Sequence, residues 1–128
     1  MRGVVATVLF LLAFAGCGTT GVDVNRQTVT YTAKSLSLLA DTFVAGDRVY
    51  QESIRKDKPK LTNYRTVVRP KVLLAFAEAR AAVAAWRAAG ELYAIGKAKQ
   101  SDVDAAGAEV GRLLAAVQQA VASALGGK

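Results

Sequence analysis

The chain has 128 residues, a formal net charge of +7 and 52% hydrophobic residues, but it contains no histidine, one cysteine and two prolines. Without imidazole it lacks the usual general base and the commonest metal ligand, and a single cysteine cannot form an internal disulfide. The composition favours one small domain stabilised by packing, and it disfavours a hydrolase or a metalloenzyme. We therefore predict no enzymatic activity, no catalytic residue, no metal site and no diffusible cofactor.

The first 17 residues have the layout of an exported protein. A positive start at Arg2 is followed by an apolar run over residues 4–14, and two small residues then precede Cys17. As a helix the apolar run spans only about 16 Å, whereas the hydrocarbon core of a bilayer is about 30 Å thick. The pattern predicts a secretory signal rather than a stable transmembrane helix.

The stretch Leu12 to Cys17, which reads L-A-F-A-G-C, resembles the lipobox of bacterial lipoproteins. Its last three residues match the family pattern, while Phe14 stands where the family usually has leucine. The resemblance implies that residues 1–16 are a cleaved signal peptide and that Cys17 carries covalent lipid. An ordinary cleaved signal, or a buried free cysteine in an uncleaved chain, are the alternatives.

The residues around the cysteine also suggest a destination. Residues 17–21 form the predicted lipidated cysteine and its flexible spacer, and Gly18 rather than aspartate follows the cysteine. In Gram-negative lipoproteins this implies anchoring in the outer membrane, facing the periplasm, with the inner membrane less favoured. Attachment through several acyl chains is durable because each buried methylene contributes about 0.8 kcal/mol.

Residues 22–128 read as an all-α domain. Three amphipathic segments predict helices at about 22–56, 64–96 and 101–125, arranged as an antiparallel helical hairpin plus a third helix, a three-helix bundle. Gly46 and Asp47 interrupt the first pattern and are predicted to loosen that helix locally. The predicted stripes are Val22, Val29, Leu36, Phe43 and Tyr50 with Ala33, Leu39, Ala40 and Ile54; Val72, Phe76, Ala79, Val83, Trp86, Gly90 and Tyr93 flanked by Leu73, Ala77 and Ala84; and Val103, Ala106, Val110, Leu113, Val117, Ala120 and Ala124 with Leu114, Val121 and Leu125.

Breaks in these patterns predict the turns. Asp57 to Asn63 contains Pro59 and reads as a turn whose last residues cap the second helix. Pro70 predicts either a helix that begins there or a kink or short break in a longer one, and we favour the kink or break. Gly96 is placed to end the second helix, and Ser101 with Asp104 resembles a capping box for the third.

Positive charge is concentrated between residues 55 and 71, where seven Lys and Arg face a single Asp. We predict that this stretch binds an anionic partner, namely peptidoglycan, lipopolysaccharide phosphate or an acidic envelope protein. The equally weighted alternative is a solvated helix junction. Because Tyr64 is its only aromatic residue, nucleic acid is not a predicted partner. The candidate binding residues are Arg55, Lys56, Lys58, Lys60, Arg65, Arg69 and Lys71.

Other features have simpler interpretations. Asp102 and Asp104 lie two positions apart and so face different sides of a helix, which disfavours a carboxylate pair. Trp86 and Tyr93 are predicted core residues. The terminal Lys128, with the lipobox and heptad helices, is similar to the major outer-membrane lipoprotein of enteric bacteria, and this similarity leaves open a covalent link to peptidoglycan.

The chain as a whole resembles small Ala-rich helical lipoproteins of envelope and prophage genes. Many such proteins have no assigned activity. Our first hypothesis is a non-enzymatic, outer-membrane-anchored lipoprotein that acts as an envelope interaction or structural module. The alternative is a phage-derived accessory lipoprotein that engages a membrane protein in lysis or superinfection exclusion. The many alanines also leave self-association open as a further interaction.

Overall fold

The computed structural model describes residues 21–126, with side chains placed from residue 24 onward, and every regular element in that range is helical. Helix α1 is Gly21–Ser53 and helix α2 is Lys58–Asn63, which continues directly into a π-helical segment, Tyr64–Val68. Helix α3 is Arg69–Ala94 and helix α4 is Gln100–Leu125. Since the chain is helical without interruption from Lys58 to Ala94, the domain has three long helices, and the all-α prediction is confirmed.

Cross-helix contacts define the relative directions of the helices. The guanidinium of Arg26, near the start of α1, lies 2.8 Å from the carboxylate of Glu91, near the end of α3, so these helices run antiparallel. Gly46 of α1 lies close to the side chain of Leu125 at the end of α4. Helix α4 therefore runs in the same direction as α1. No helix within the described residues is both long and apolar enough to cross a membrane.

The three predicted stripes form the core. One cluster of buried residues joins all three long helices, while Tyr50, Tyr93 and several alanines pack against it half-buried. The predicted flanks of the second stripe were wrong, because Leu73, Ala77 and Ala84 are exposed. Val22 lies outside the residues whose side chains are described. The buried members are Val29, Leu36, Leu39, Phe43, Ile54, Leu61, Tyr64, Val72, Phe76, Ala79, Val83, Trp86, Val103, Val110, Leu113, Leu114, Val117, Val121 and Ala124.

Helix α1 is continuous through Gly46 and Asp47, so the predicted local loosening there does not interrupt the helix. Its 33 residues correspond to about 50 Å at the helical rise of about 1.5 Å per residue. The helix ends at Ser53, three residues before the predicted end. The end of α1 that carries Asp47 is thus held far from Gly21.

The connection after α1 is shorter than the predicted turn. Asp57 caps α2, because its Oδ1 accepts the backbone N–H of Lys60 at 3.2 Å. Pro59 lies in the first turn of α2, where a missing N–H costs no intrahelical hydrogen bond. The prediction of a turn through Asn63 was therefore wrong, and the proline helps to start the helix rather than to delay it.

The π-helical segment accounts for the way the chain passes Pro70. The backbone N–H of Arg69 donates to the carbonyl of Tyr64, five residues earlier, and the dihedral angles of both Val68 and Arg69 are right-handed helical. A proline inside an α-helix loses one hydrogen bond and crowds the carbonyl four residues before it. The wider π turn immediately before Pro70 provides that room, so an irregular helical turn replaces the expected break.

Helix α3 ends at Ala94, two residues before the predicted end, and the predicted terminator Gly96 follows it with φ +75°. The N–H of Gly96 donates to the carbonyl of Tyr93, and the N–H of Lys97 donates to that of Leu92 at 2.8 Å. These two bonds form a Schellman motif. The positive φ is the reason that glycine suits this position.

The cap of α4 differs from the predicted one. The carboxylate of Asp102 accepts the backbone N–H of Lys99 at 2.9 Å, so the helix begins at Gln100 rather than at Ser101. Asp104 accepts a bond from the side chain of Gln100 instead of serving as the cap. A capping pair was predicted correctly, but it lies two residues earlier than expected: Asp102 bonds to Lys99, whereas the predicted pair was Ser101 with Asp104.

Candidate functional site

The basic stretch lies at one end of the bundle, where α1 ends and the second helix begins. Arg55 and Lys56 lie in the connection, Lys58 and Lys60 lie in α2, and the remaining three cations follow along the same continuous helix. The structure divides these seven residues into cations with partners inside the protein and cations without one.

The centre of this end is a buried carboxylate on α1. Asp47 is only 7% exposed, although it is charged. Its oxygens accept bonds from the Tyr64 hydroxyl at 2.5 Å, from the Gln51 amide at 3.1 Å and from Nε of Arg69 at 3.1 Å. Because buried charges are costly unless they are paired and hydrogen-bonded, these donors explain how an aspartate can occupy the core stripe of α1.

The network also shifts the ionisation of its members. Burial raises the pKa of Asp47, but hydrogen bonds from Tyr64, Gln51 and Arg69, with the positive charge of Arg69, outweigh burial and leave that pKa below its usual value. Burial, and then the hydrogen bond to Asp47, raise the pKa of the Tyr64 hydroxyl above its usual value. Asp47 is therefore a carboxylate and Tyr64 a neutral hydrogen-bond donor at neutral pH.

Arg65 belongs to the same contact between helices. Its Nε donates to the side-chain oxygen of Gln51 at 2.8 Å, while the amide of Gln51 donates to Asp47. The rings of Tyr50 and Tyr64 pack with centroids 4.8 Å apart. Arg65 thus links the π-helical segment to α1, and Arg69 links the start of α3 to it. The Nε–H groups of both guanidiniums donate to the protein's own acceptors.

The lysines have a different environment. Lys56, Lys58, Lys60 and Lys71 are all exposed. Their side chains have neither a hydrogen bond nor an ion pair with any other residue in the part of the chain that the structure describes. Arg55 is exposed as well and lies 3.1 Å from Glu52, an ion pair of the kind that contributes little to stability. Of the seven candidate cations, the four lysines are therefore the ones without a partner among the described residues.

The sequence patterns did not reveal Asp47 and Tyr64 as the centre of this end. Asp47 lies four residues after Phe43 and seven before Ile54, which are both buried, so its position on the core stripe was readable. The second stripe traced backwards reaches two arginines. An acidic residue on one core stripe, with basic residues on another, indicates a buried ion pair between the two helices.

Two predicted sites lie outside the described residues, namely the lipidation site at Cys17 and the terminal Lys128. Among the residues that the structure describes, no group of three or more His, Cys, Asp or Glu side chains lies close enough together to hold a metal ion. Asp102 and Asp104 have the separate capping and hydrogen-bonding roles described above.

Comparison with known proteins does not assign the chain to a family. No protein-family model, curated protein or solved structure matches the chain. The functional interpretation consequently depends on the residues and geometry of this chain.

Proposed function

We propose that this protein is a lipoprotein of the outer membrane without enzymatic activity, which acts as an interaction or structural module of the cell envelope. Lipid on Cys17 anchors it, and α1 begins only four residues later. With α1 about 50 Å long, the basic end lies away from the anchored membrane. The single observation that carries the proposal is the set of four exposed lysines at that distant end, none of which has a partner among the described residues.

The proposed partner is an anionic component of the envelope: peptidoglycan, lipopolysaccharide or an acidic protein. Attraction between exposed charges is screened over about 10 Å at 0.1 M salt. Binding through the lysines should therefore weaken steeply as ionic strength increases. A shape-selective apolar contact would respond much less to salt.

The anchor is tested by Cys17→Ser in cells supplied with a labelled fatty acid. The substitution should abolish incorporation of label and release the protein from the membrane fraction. Equal labelling and equal membrane association of the variant and the unaltered chain would refute lipidation at this residue.

The basic end is tested by cross-linking in intact cells followed by identification of the captured molecules. Replacing Lys58 and Lys60 by Glu should remove specific cross-links, whereas replacing Lys97 and Lys99 by Glu should retain them. The control pair has the same charge change and is also exposed, but it lies at the other end of the bundle. If the cross-linking pattern of the first variant is unchanged, these lysines do not bind a partner and the basic stretch is only a solvated helix junction.

A further inference from the structure

The chemistry of the exposed cations limits the kind of anionic partner that this end can bind. Arginine has a planar guanidinium suited to paired hydrogen bonds with one carboxylate or phosphate, whereas lysine is a compact charge on a flexible stem. Within the basic stretch 55–71, all three arginines contact acceptors of the protein itself: Arg55 contacts Glu52, Arg65 contacts Gln51 and Arg69 contacts Asp47. The four lysines remain, and they suit many spread negative charges better than one shaped anion.

The four lysines are also spread over the surface and do not converge on a single point. Lys56, Lys58 and Lys60 lie within five residues around an exposed connection, and Lys71 lies about 20 Å from Lys58 along the helix. None of the four ammonium groups has a partner among the described residues. A partner must therefore present negative charge over an area of comparable width.

Apolar side chains accompany Lys71 on one side of the helix. Val67 is 43% exposed and Leu74 is 58% exposed. They lie four residues before and three residues after Lys71, a spacing that places all three on neighbouring positions of one helical face. Large exposed apolar groups beside lysines are typical of surfaces that bind at the boundary between lipid head groups and acyl chains.

We propose that this end of the bundle docks onto the phosphate-bearing surface of a lipid bilayer. Lys56, Lys58, Lys60 and Lys71 contact phosphates, while Val67 and Leu74 enter the boundary below the head groups. The inference rests on the proposed function and specifies its anionic partner. Each lysine near an anionic bilayer strengthens binding roughly fivefold, so the four together suffice for reversible docking.

A capture assay tests the docking. The full chain is inserted through its own N-terminal anchor into phosphatidylcholine nanodiscs, which are mixed with vesicles and sedimented. Vesicles that contain phosphatidylglycerol should capture the nanodiscs and vesicles of phosphatidylcholine alone should not. The variant with Lys58→Ala and Lys60→Ala should bind roughly 30-fold more weakly, the fold-change that corresponds to about 2 kcal/mol.

Matched controls separate this end from the rest of the molecule. Lys97→Ala with Lys99→Ala removes the same charge elsewhere and should leave capture unchanged. Leu74→Ala should weaken capture roughly tenfold through lost apolar contact, whereas Leu38→Ala, at a position that is 67% exposed on α1, should not. Helical circular dichroism and thermal unfolding confirm that each variant is folded.

The outcomes distinguish failure of this inference from failure of the proposed function. Equal capture by both kinds of vesicle, or equal losses in the two lysine pairs, would overturn docking through this end. If the chain does not bind anionic vesicles but binds purified peptidoglycan or polyglutamate through Lys58 and Lys60, the lipid inference fails while the proposed function stands. If none of these probes binds, both fail.

Discussion

At the basic end, Asp47 on α1 accepts hydrogen bonds from Tyr64 and Arg69 of the next helix. At the opposite end, main-chain bonds around Gly96 close the turn after α3, and the carboxylate of Asp102 caps α4. One end thus depends on a buried charge with partners distant in the chain, and the other on local backbone geometry.

The comparison shows how the two ends acquire different surfaces. The side-chain network binds two arginines internally and leaves lysines exposed, so the basic end presents ammonium groups. At the other end, Lys97 and Lys99 are close in sequence to Asp102 and Asp104, so its local charge is balanced. Four changes test this comparison, from the largest expected effect on stability to the smallest.

Asp47→Ala should lower the free energy of unfolding by about 3 kcal/mol. It leaves the buried Tyr64 hydroxyl without its acceptor and Arg69 without its counter-ion, and unmade buried polar interactions cost more than exposed ones. Chemical denaturation followed by circular dichroism measures the loss. Asp41→Ala, an exposed aspartate of the same helix, is the control, and equal losses in the two variants would contradict the importance of the network.

Gly96→Ala should destabilise the opposite end by about 1–2 kcal/mol, because an L-residue at φ +75° has the strain of the left-handed region. Gly111→Ala is the matched control in the body of α4. Apart from the backbone of its own helix and the neighbouring residues, a Cβ there meets no heavy atom within 4 Å, so alanine should stabilise the helix by up to about 1 kcal/mol. Thermal unfolding should shift in opposite directions in the two variants, and a shared direction would contradict this account of Gly96.

Acid should weaken the basic end through Asp47. Its pKa in the folded protein lies below the usual 3.8, so its contribution is complete above about pH 5 and is lost as pH falls through the folded-state value. Asp47→Asn has no such titration. The stability difference between the unaltered chain and this variant should therefore shrink as the pH falls from about 5 to about 2. A difference that stays constant over that range would show that folding does not lower the pKa of Asp47.

Glu91→Gln should lower the free energy of unfolding least, by clearly less than Gly96→Ala does. Glu91 and Arg26 are both about half exposed at the end opposite the network, and solvent screens such ion pairs. Denaturation at low and at high salt measures the contribution. A loss comparable to that of Asp47→Ala would remove the distinction between the two ends.

Much of the fold could be predicted from periodicity. The stripes of all three helices identified most of the core, since helical spacing alone places residues three and four apart on one face. Leu73 was misplaced because it lies at the edge of its stripe, where periodicity does not decide burial. Leu61 was missed because the helix begins earlier than Pro59 suggested.

The candidate site was predicted only in part. Sequence patterning located the cationic stretch, but it treated Arg65 and Arg69 as equivalent to the lysines. Their acceptors, Gln51 and Asp47, lie 14 and 22 residues earlier in the chain. A one-dimensional pattern contains no information about which side chain meets which across two packed helices.

The sequence by itself determined the helical segments, the turn at Gly96 and the place where positive charge accumulates, because each follows from local spacing or from one residue's backbone preference. Tertiary structure decided that Asp47 is buried, that Tyr64 is a core residue and that, of the seven cations in the basic stretch, only the lysines have no partner among the described residues. The physical reason is that burial and pairing of charges depend on groups brought together from distant parts of the chain.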